Sequence, residues 1–203
     1  MQEERGILDE RLRQLVLSGE VDRAATEALR ALGPEVFGFL HGVVRSDSDA
    51  EEIFAATSER VWRSISGFRW QCALRTWLYC IARNEMLRFV DGARKRNAGR
   101  VTPSALDDVV AGVRTETLSA LRTQKRDTLR RLRDELPEDD RTLVILRIDR
   151  ALSWGEIARA FLTDPENDTE DDVAREAARL RKRFQLVKRR LADRARDEGL
   201  LPR

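Results

Sequence analysis

The chain has 203 residues, room for one large domain or two small ones. Charged residues make up 36% of it, but 38 basic side chains face 36 acidic ones, so a net charge of +2 hides any segregation along the sequence. A content of 41% hydrophobic residues is too apolar for a wholly unfolded chain, and no run approaches a membrane span. The acidic start MQEERGILDE lacks the basic region of a signal peptide, so a soluble, cytoplasmic protein without membrane insertion is expected. One histidine, His41, and two cysteines, Cys72 and Cys80, are too few and too scattered for a zinc site. The cysteines read as small apolar residues of a reducing compartment. No G-x-S-x-G, G-x-G-x-x-G or phosphate-loop pattern occurs, and no enzymatic activity, metal or cofactor is expected.

Apolar residues recur at three- and four-residue steps and β-branched runs are scarce, which predicts an all-α chain. Leu12, Leu15, Val16, Ala24, Ala28 and Leu29 mark helix over 9–31, broken at Ser18-Gly19. Pro34 is expected to open the next helix as its first residue, carrying Phe37, Phe39, Leu40 and Val43. Ser48 with Glu51 forms a capping-box pattern for a helix from Asp49 to about Ile65. A short loop follows from Gly67 to Cys72. Leu74, Trp77, Leu78, Ile81, Ala82 and Met86 then trace a helix that ends near Asp91-Gly92, before the basic Arg94, Lys95 and Arg96. Residues 97–115 lack strong periodicity and read as a linker.

The second half begins with a Leu118, Leu121, Leu129, Leu132, Leu136 stripe that stops at Pro137. A helix is expected from Glu138 to Asp149, and Ser153 with Glu156 caps a short helix through Ile157, Ala158 and Phe161. After an acidic stretch, Thr163 to Asp172, the last helix runs over about 170–196 with Val173, Ala177, Leu180, Phe184, Val187 and Leu191 on one face. From Val173 to Arg196 it holds ten basic residues against two acidic ones.

A short capped helix before a long basic amphipathic one is the pattern of a helix-turn-helix, whose second helix enters the major groove. Helical projection sets Arg175, Arg179, Lys182 and Arg189 opposite the apolar stripe, where arginine suits guanine edges and both residue types suit phosphates. In the first half Phe68, Arg69, Trp70 and Gln71 lie in a loop, with Trp77, Tyr79, Arg83, Asn84 and Arg88 on the helix after it. Aromatics interleaved with Arg and Asn can hold unstacked bases while cations follow the backbone. Trp62, Trp77 and Leu78 are more simply core residues; Arg69, Trp70 and Gln71 are the better candidates for exposed function.

Two motif blocks carry a family resemblance. Asp49-Ala50-Glu51-Glu52, Val61-Trp62, Gly67-Phe68-Arg69 and Arg75 through Asn84 resemble region 2 of extracytoplasmic-function (ECF) sigma factors. Leu136-Pro137 through Leu152-Ser153-Trp154-Gly155-Glu156-Ile157-Ala158, then Leu180 through Leu191, resemble their region 4 and its recognition helix. The resemblance divides the chain into an N-terminal helical extension (1–24), a region 2-like domain (25–96), a linker (97–115) and a region 4-like helix-turn-helix domain (116–203). It implies a promoter-specificity subunit of bacterial RNA polymerase without catalytic residues of its own. Core polymerase would be met through its β′ clamp helices, by Asp49, Glu52, Ala55, Ala56 and Glu59, and through its β flap. Phe68, Arg69, Trp70, Gln71, Asn84 and Arg88 would take the minus-ten element. Arg175, Arg179, Lys182, Arg183 and Arg189 would read the minus-thirty-five element, and the linker would follow the RNA-exit path.

The sequence departs from the family in two places. Gln and an acid usually follow the acidic motif, but Ala55 and Ala56 stand there, and helical projection sets Ala56 on the outward face with Glu52, Glu59 and Arg63. Core binding is therefore expected to be weak or conditional. Thr57 and Ser58 come next and are candidate sites for a Ser/Thr kinase, since a phosphate would restore the charge. Both hydroxyls project near the Ala50/Phe54/Val61 face, so modification would need local opening. Second, the ten residues Leu162 to Asp171 replace a turn of about three or four. Their acids are expected to shield the basic helix when DNA is absent. A partner anti-sigma factor is compatible with the family. Two other readings stay open: a helix-turn-helix regulator that is not a sigma factor, and a helical adaptor that has lost promoter function, for which Ala55 and Ala56 are the main support.

Overall fold

A computed structural model of the chain describes residues 2–92, 111–113, 132–162 and 168–197. All regular elements among them are helical. The chain divides into two units, Met1–Leu121 and Arg122–Arg203. The N-terminal extension and the stretch read as a linker both fall within the first.

In the first unit α1 (Gln2–Leu17) lies against α2 (Val21–Val44), with Leu12 and Leu15 buried. Gly19, at φ 81°, supplies the left-handed turn between them. Helix α2 does not restart at Pro34, as its proline predicted, but runs straight through it. The residue before a proline normally leaves the helical region because its Cβ meets the proline ring. Here that residue is Gly33, which has no Cβ. Burial of Ala28, Leu29 and Leu32 before the proline, and of Val36, Phe37 and Leu40 after it, favours one uninterrupted helix.

Helix α2 ends with Arg45 in the left-handed region, φ 63°, its N–H bonded to the His41 carbonyl. Helix α3 (Asp47–Ser64) starts two residues before the expected site. Its N-cap is Ser46, which accepts from the Asp49 N–H at 3.3 Å, and Ser48 lies inside the helix. Both serines have an acid three residues on. The His41–Asp47 pair, 2.8 Å, joins the end of α2 to the first residue of α3.

A 3₁₀ turn (Ile65–Gly67) and a loop over 68–73 lead to α4 (Leu74–Gly92). The core between α2, α3 and α4 holds edge-on ring pairs, Phe37–Phe54 at 5.4 Å and Phe39–Tyr79 at 5.3 Å. It also holds one polar cluster. Glu35 accepts from Arg75 Nε and from the Tyr79 hydroxyl, each at 2.8 Å, and the Arg75 guanidinium lies 5.3 Å from the Tyr79 ring centre.

Within the stretch read as a linker, Ala111–Val113 is helical and Val113 is buried. It sits over Gly33: a Cβ built there would lie 3.1 and 3.2 Å from the Val113 methyls and 3.3 Å from Phe54. The rest of 97–115, Arg94 to Arg96 and Leu118, Leu121 and Leu129 lie outside the described residues.

The second unit opens with the buried Leu132 and Leu136, then α5 (Glu138–Val144), which loosens into a π-helical turn (Ile145–Asp149). Helix α6 (Trp154–Phe161) carries the expected capping box in full. Ser153 Oγ accepts from the Glu156 N–H at 3.3 Å, and the Ser153 N–H donates to Glu156 Oε2 at 2.7 Å. Helix α7 (Glu170–Asp197) buries Val173, Ala177, Leu180, Phe184 and Val187 along one face, against α5 and α6. Of the long acidic turn, 163–167 lie outside the described residues.

Candidate nucleic-acid interface

The loop 68–73 is built on an aromatic ladder. Phe68 stacks on Trp77 at 4.6 Å with an interplanar angle of 23°, and Trp70 tilts against Phe68 at 4.8 Å. Phe68 is 4% exposed and Trp77 likewise, so these two rings support the loop from below. Trp70 is half-buried at φ 58°, a left-handed conformation that a bulky side chain adopts only where its surroundings impose it. Arg69 and Gln71 are exposed. Helical spacing sets Asn84 and Arg88 on the Trp77 face of α4, roughly 10 and 16 Å further along its axis. Arg88 Nη1 donates to Glu85 Oε1 at 2.5 Å, and Arg60 comes within 3.8 Å of the same carboxylate. The loop thus holds Arg69, Trp70 and Gln71 next to the Phe68–Trp77 stack, and helical spacing sets Asn84 and Arg88 on the same side of α4 as Trp77.

On α3, Glu52 is exposed, while Glu59 is held by Arg63 at 2.7 Å. Asp49 and Ala55 are half-buried, and Ala56, expected on the outward face, is only 7% exposed. Thr57 and Ser58 are fully buried. Their hydroxyls donate to the Ile53 and Phe54 carbonyls one turn back, each at 2.8 Å.

The cations of α7 fall into three sets. Arg183 leans inward onto α5, donating to Asp140 Oδ1 at 2.6 Å and reaching Asp139 at 3.4 Å. Arg190 and Arg194 follow on the same side, 3.6 Å from Asp140 and 2.6 Å from Glu135. Arg175 pairs with Asp172 and Arg179 with Glu176 along the helix; the hydrogen bonds from the Thr169 hydroxyl and N–H, and then that from Arg175, hold the Asp172 carboxyl below the usual range. Among the basic residues of the described α7, Arg181, Lys182, Lys188 and Arg189 have no acidic partner, and of these Arg181 lies against the Trp154 ring. Lys182 and Arg189 point directly away from the buried stripe. Two of the three acids at the start of α7 are engaged too: Glu170 pairs with Arg159, and Asp172 closes a cap with Thr169.

Sequence reasoning did not find a second cluster. Trp154, the first residue of α6, has the Arg147 guanidinium 4.9 Å from its ring centre, that of Arg181 at 5.6 Å, and Phe184 edge-on. Arg147 Nη1 also donates to the Leu152 carbonyl at 2.6 Å, across the turn between α5 and α6. The one legible signal was Trp154 itself, an aromatic placed directly after the capping serine.

Residues 28–96 match the family model for sigma-70 region 2. The ECF RNA polymerase sigma factor SigG of Mycobacterium tuberculosis, in strains CDC 1551 / Oshkosh and ATCC 25618 / H37Rv, is 36% identical over 62 residues. The part of the first unit that these matches cover is thus similar to sigma-70 region 2. The match to SigG covers 30% of this chain and 17% of the SigG chain. The region 2 match begins inside α2, so α1 precedes it, and it includes α3, the loop 68–73 and α4. No described helix is long and apolar enough to cross a membrane.

Proposed function

We propose that the chain is an ECF-type sigma factor: a cytoplasmic, non-catalytic subunit that binds core RNA polymerase and directs it to promoters. The region 2 match carries the proposal: it spans the loop that holds Arg69, Trp70 and Gln71 and the helix that holds Asn84 and Arg88. In this reading the open side of Trp70, with Arg69 and Gln71, takes an unstacked minus-ten base, and Phe68 fixes the loop from beneath. Asn84 and Arg88 follow the non-template strand.

Lys182 and Arg189 lead contact with the minus-thirty-five duplex, joined by Arg175 and Arg179 once DNA phosphates replace their acids on the same helix. Arg183 sets the tilt of α7 against α5 instead of reading bases. The β′ clamp helices meet α3 at Asp49, Glu52 and Glu59, across the small surface left by Ala55 and Ala56, and the β flap meets the second unit. A kinase acting on Thr57 or Ser58 would need α3 opened first, and an anti-sigma partner would compete for the surfaces that core polymerase uses.

Titration of the full chain against core RNA polymerase tests this. Binding that weakens further on Glu52→Lys is expected. Absence of binding would favour a duplex-only regulator or an adaptor.

A further inference from the structure

Helix α1 precedes the region 2 match, and none of the roles above uses it. Among the described residues, Asp9 makes a specific polar contact from α1 to the promoter-facing side. Helix α4 begins at Leu74, and its first helical hydrogen bond runs from the Trp77 N–H to the Ala73 carbonyl at 3.1 Å. Ala73 therefore occupies the capping position but has no side-chain acceptor, which makes it a poor N-cap. The Leu74 N–H is met from outside the loop, by Asp9 Oδ2 of α1 at 3.2 Å.

Asp9 is half-buried. Burial pushes its carboxyl up, and the Leu74 amide pulls it partly back. Its position is fixed by Leu12 and Leu15, both buried, and by the Arg11–Glu27 contact at 3.0 Å between α1 and α2. The loop is thus held at both ends. Phe68 is stacked on Trp77 and its N–H bonded to the Ile65 carbonyl at 3.2 Å, and the far end is closed by Asp9. Between these anchors lies Trp70 in its left-handed conformation, which relaxes if either anchor is released.

We propose that Asp9 is a positioning residue for the promoter loop: α1 caps α4 from outside and so holds Trp70 and Gln71 in the geometry that receives an unstacked base. This rests on the reading of loop 68–73 given under Proposed function.

The test uses the full chain and its holoenzyme with three readouts. These are amide exchange over 68–76, affinity of the holoenzyme for a fluorescent single-stranded oligonucleotide of randomised sequence, and affinity of the chain for core polymerase. Asp9→Ala is expected to speed exchange and to weaken oligonucleotide binding about fivefold, the equivalent of one lost cap of about 1 kcal/mol. Core affinity stays unchanged. Ala73→Ser, which supplies a local cap, restores both altered readouts in the Asp9→Ala background, and Asp9→Asn, which keeps an acceptor, matches the wild type.

Unchanged exchange in Asp9→Ala overturns the proposal. So does faster exchange with full oligonucleotide affinity, or failure of Ala73→Ser to restore binding, which would trace the effect to lost α1 packing. If the unsubstituted holoenzyme does not bind the oligonucleotide, the promoter reading of the loop fails and the positioning role with it. Exchange alone then still reports whether Asp9 caps α4.

Discussion

Thr57→Glu is expected to destabilise the first unit by about 3–5 kcal/mol, a large part of the roughly 5–15 kcal/mol that holds a domain folded. Thr57 has no solvent-accessible surface, and its hydroxyl is already committed to the Ile53 carbonyl at 2.8 Å. A glutamate there must carry an unpaired charge into the α2/α3/α4 core or push α3 away from it. Ser58→Glu has the same problem beside Phe54. Thr57→Val keeps the shape and loses one hydrogen bond, so its cost is about 1 kcal/mol. Thermal unfolding of the three variants separates these values, with a melting temperature lower by about 10 °C or more for each glutamate. A Thr57→Glu protein as stable as the wild type would show that the site is open. The functional consequence is direct. Neither glutamate imitates a phosphate gained on a surface, and a phosphoswitch at Thr57 or Ser58 would act by unpacking α3, not by restoring the charge that Ala55 and Ala56 lack.

The second large effect separates cations that hold α7 from cations free to meet DNA. Arg183→Ala leaves Asp140 with only the more distant Arg190 at 3.6 Å. Because the Asp140 side chain is only 10% exposed, the second unit should lose about 2 kcal/mol. Lys182→Ala and Arg189→Ala remove side chains with no acidic partner, so stability should hold. Each should instead lower the slope of log affinity against log salt for duplex DNA by about 0.9, the release of one counterion. Melting curves and a salt titration of the full chain on one fixed duplex give both quantities. Loss of salt slope without loss of stability in Arg183→Ala would return that residue to the DNA-reading set.

Features governed by neighbours in sequence were legible; those set by distant packing were not. The Ser153/Glu156 box and the buried stripe from Val173 to Val187 depend on residues within a few turns, and each stands where its pattern placed it. Pro34 misled because its effect depends on Gly33 and on burial on both sides of it. Ser46 and Ser48 offered equivalent caps, and the His41–Asp47 contact favours the earlier one.

The candidate sites follow the same division. The outward setting of Lys182 and Arg189 was visible in the helical period. The inward turn of Arg183 depends on Asp140, 43 residues away, and the cap on α4 comes from Asp9, 65 residues away. Phe68 fell in a loop by sequence, where exposure is the ordinary expectation. Its burial arises from stacking on Trp77, a contact no local pattern encodes.

The most direct test of the central proposal is transcription by purified core RNA polymerase with this chain as the sole added factor, on a pool of genomic promoter fragments. Discrete transcripts that depend on the chain, and that Trp70→Ala abolishes while core binding persists, are expected. Core binding without any chain-dependent transcript would contradict a sigma factor and leave the region 2 fold serving as an adaptor.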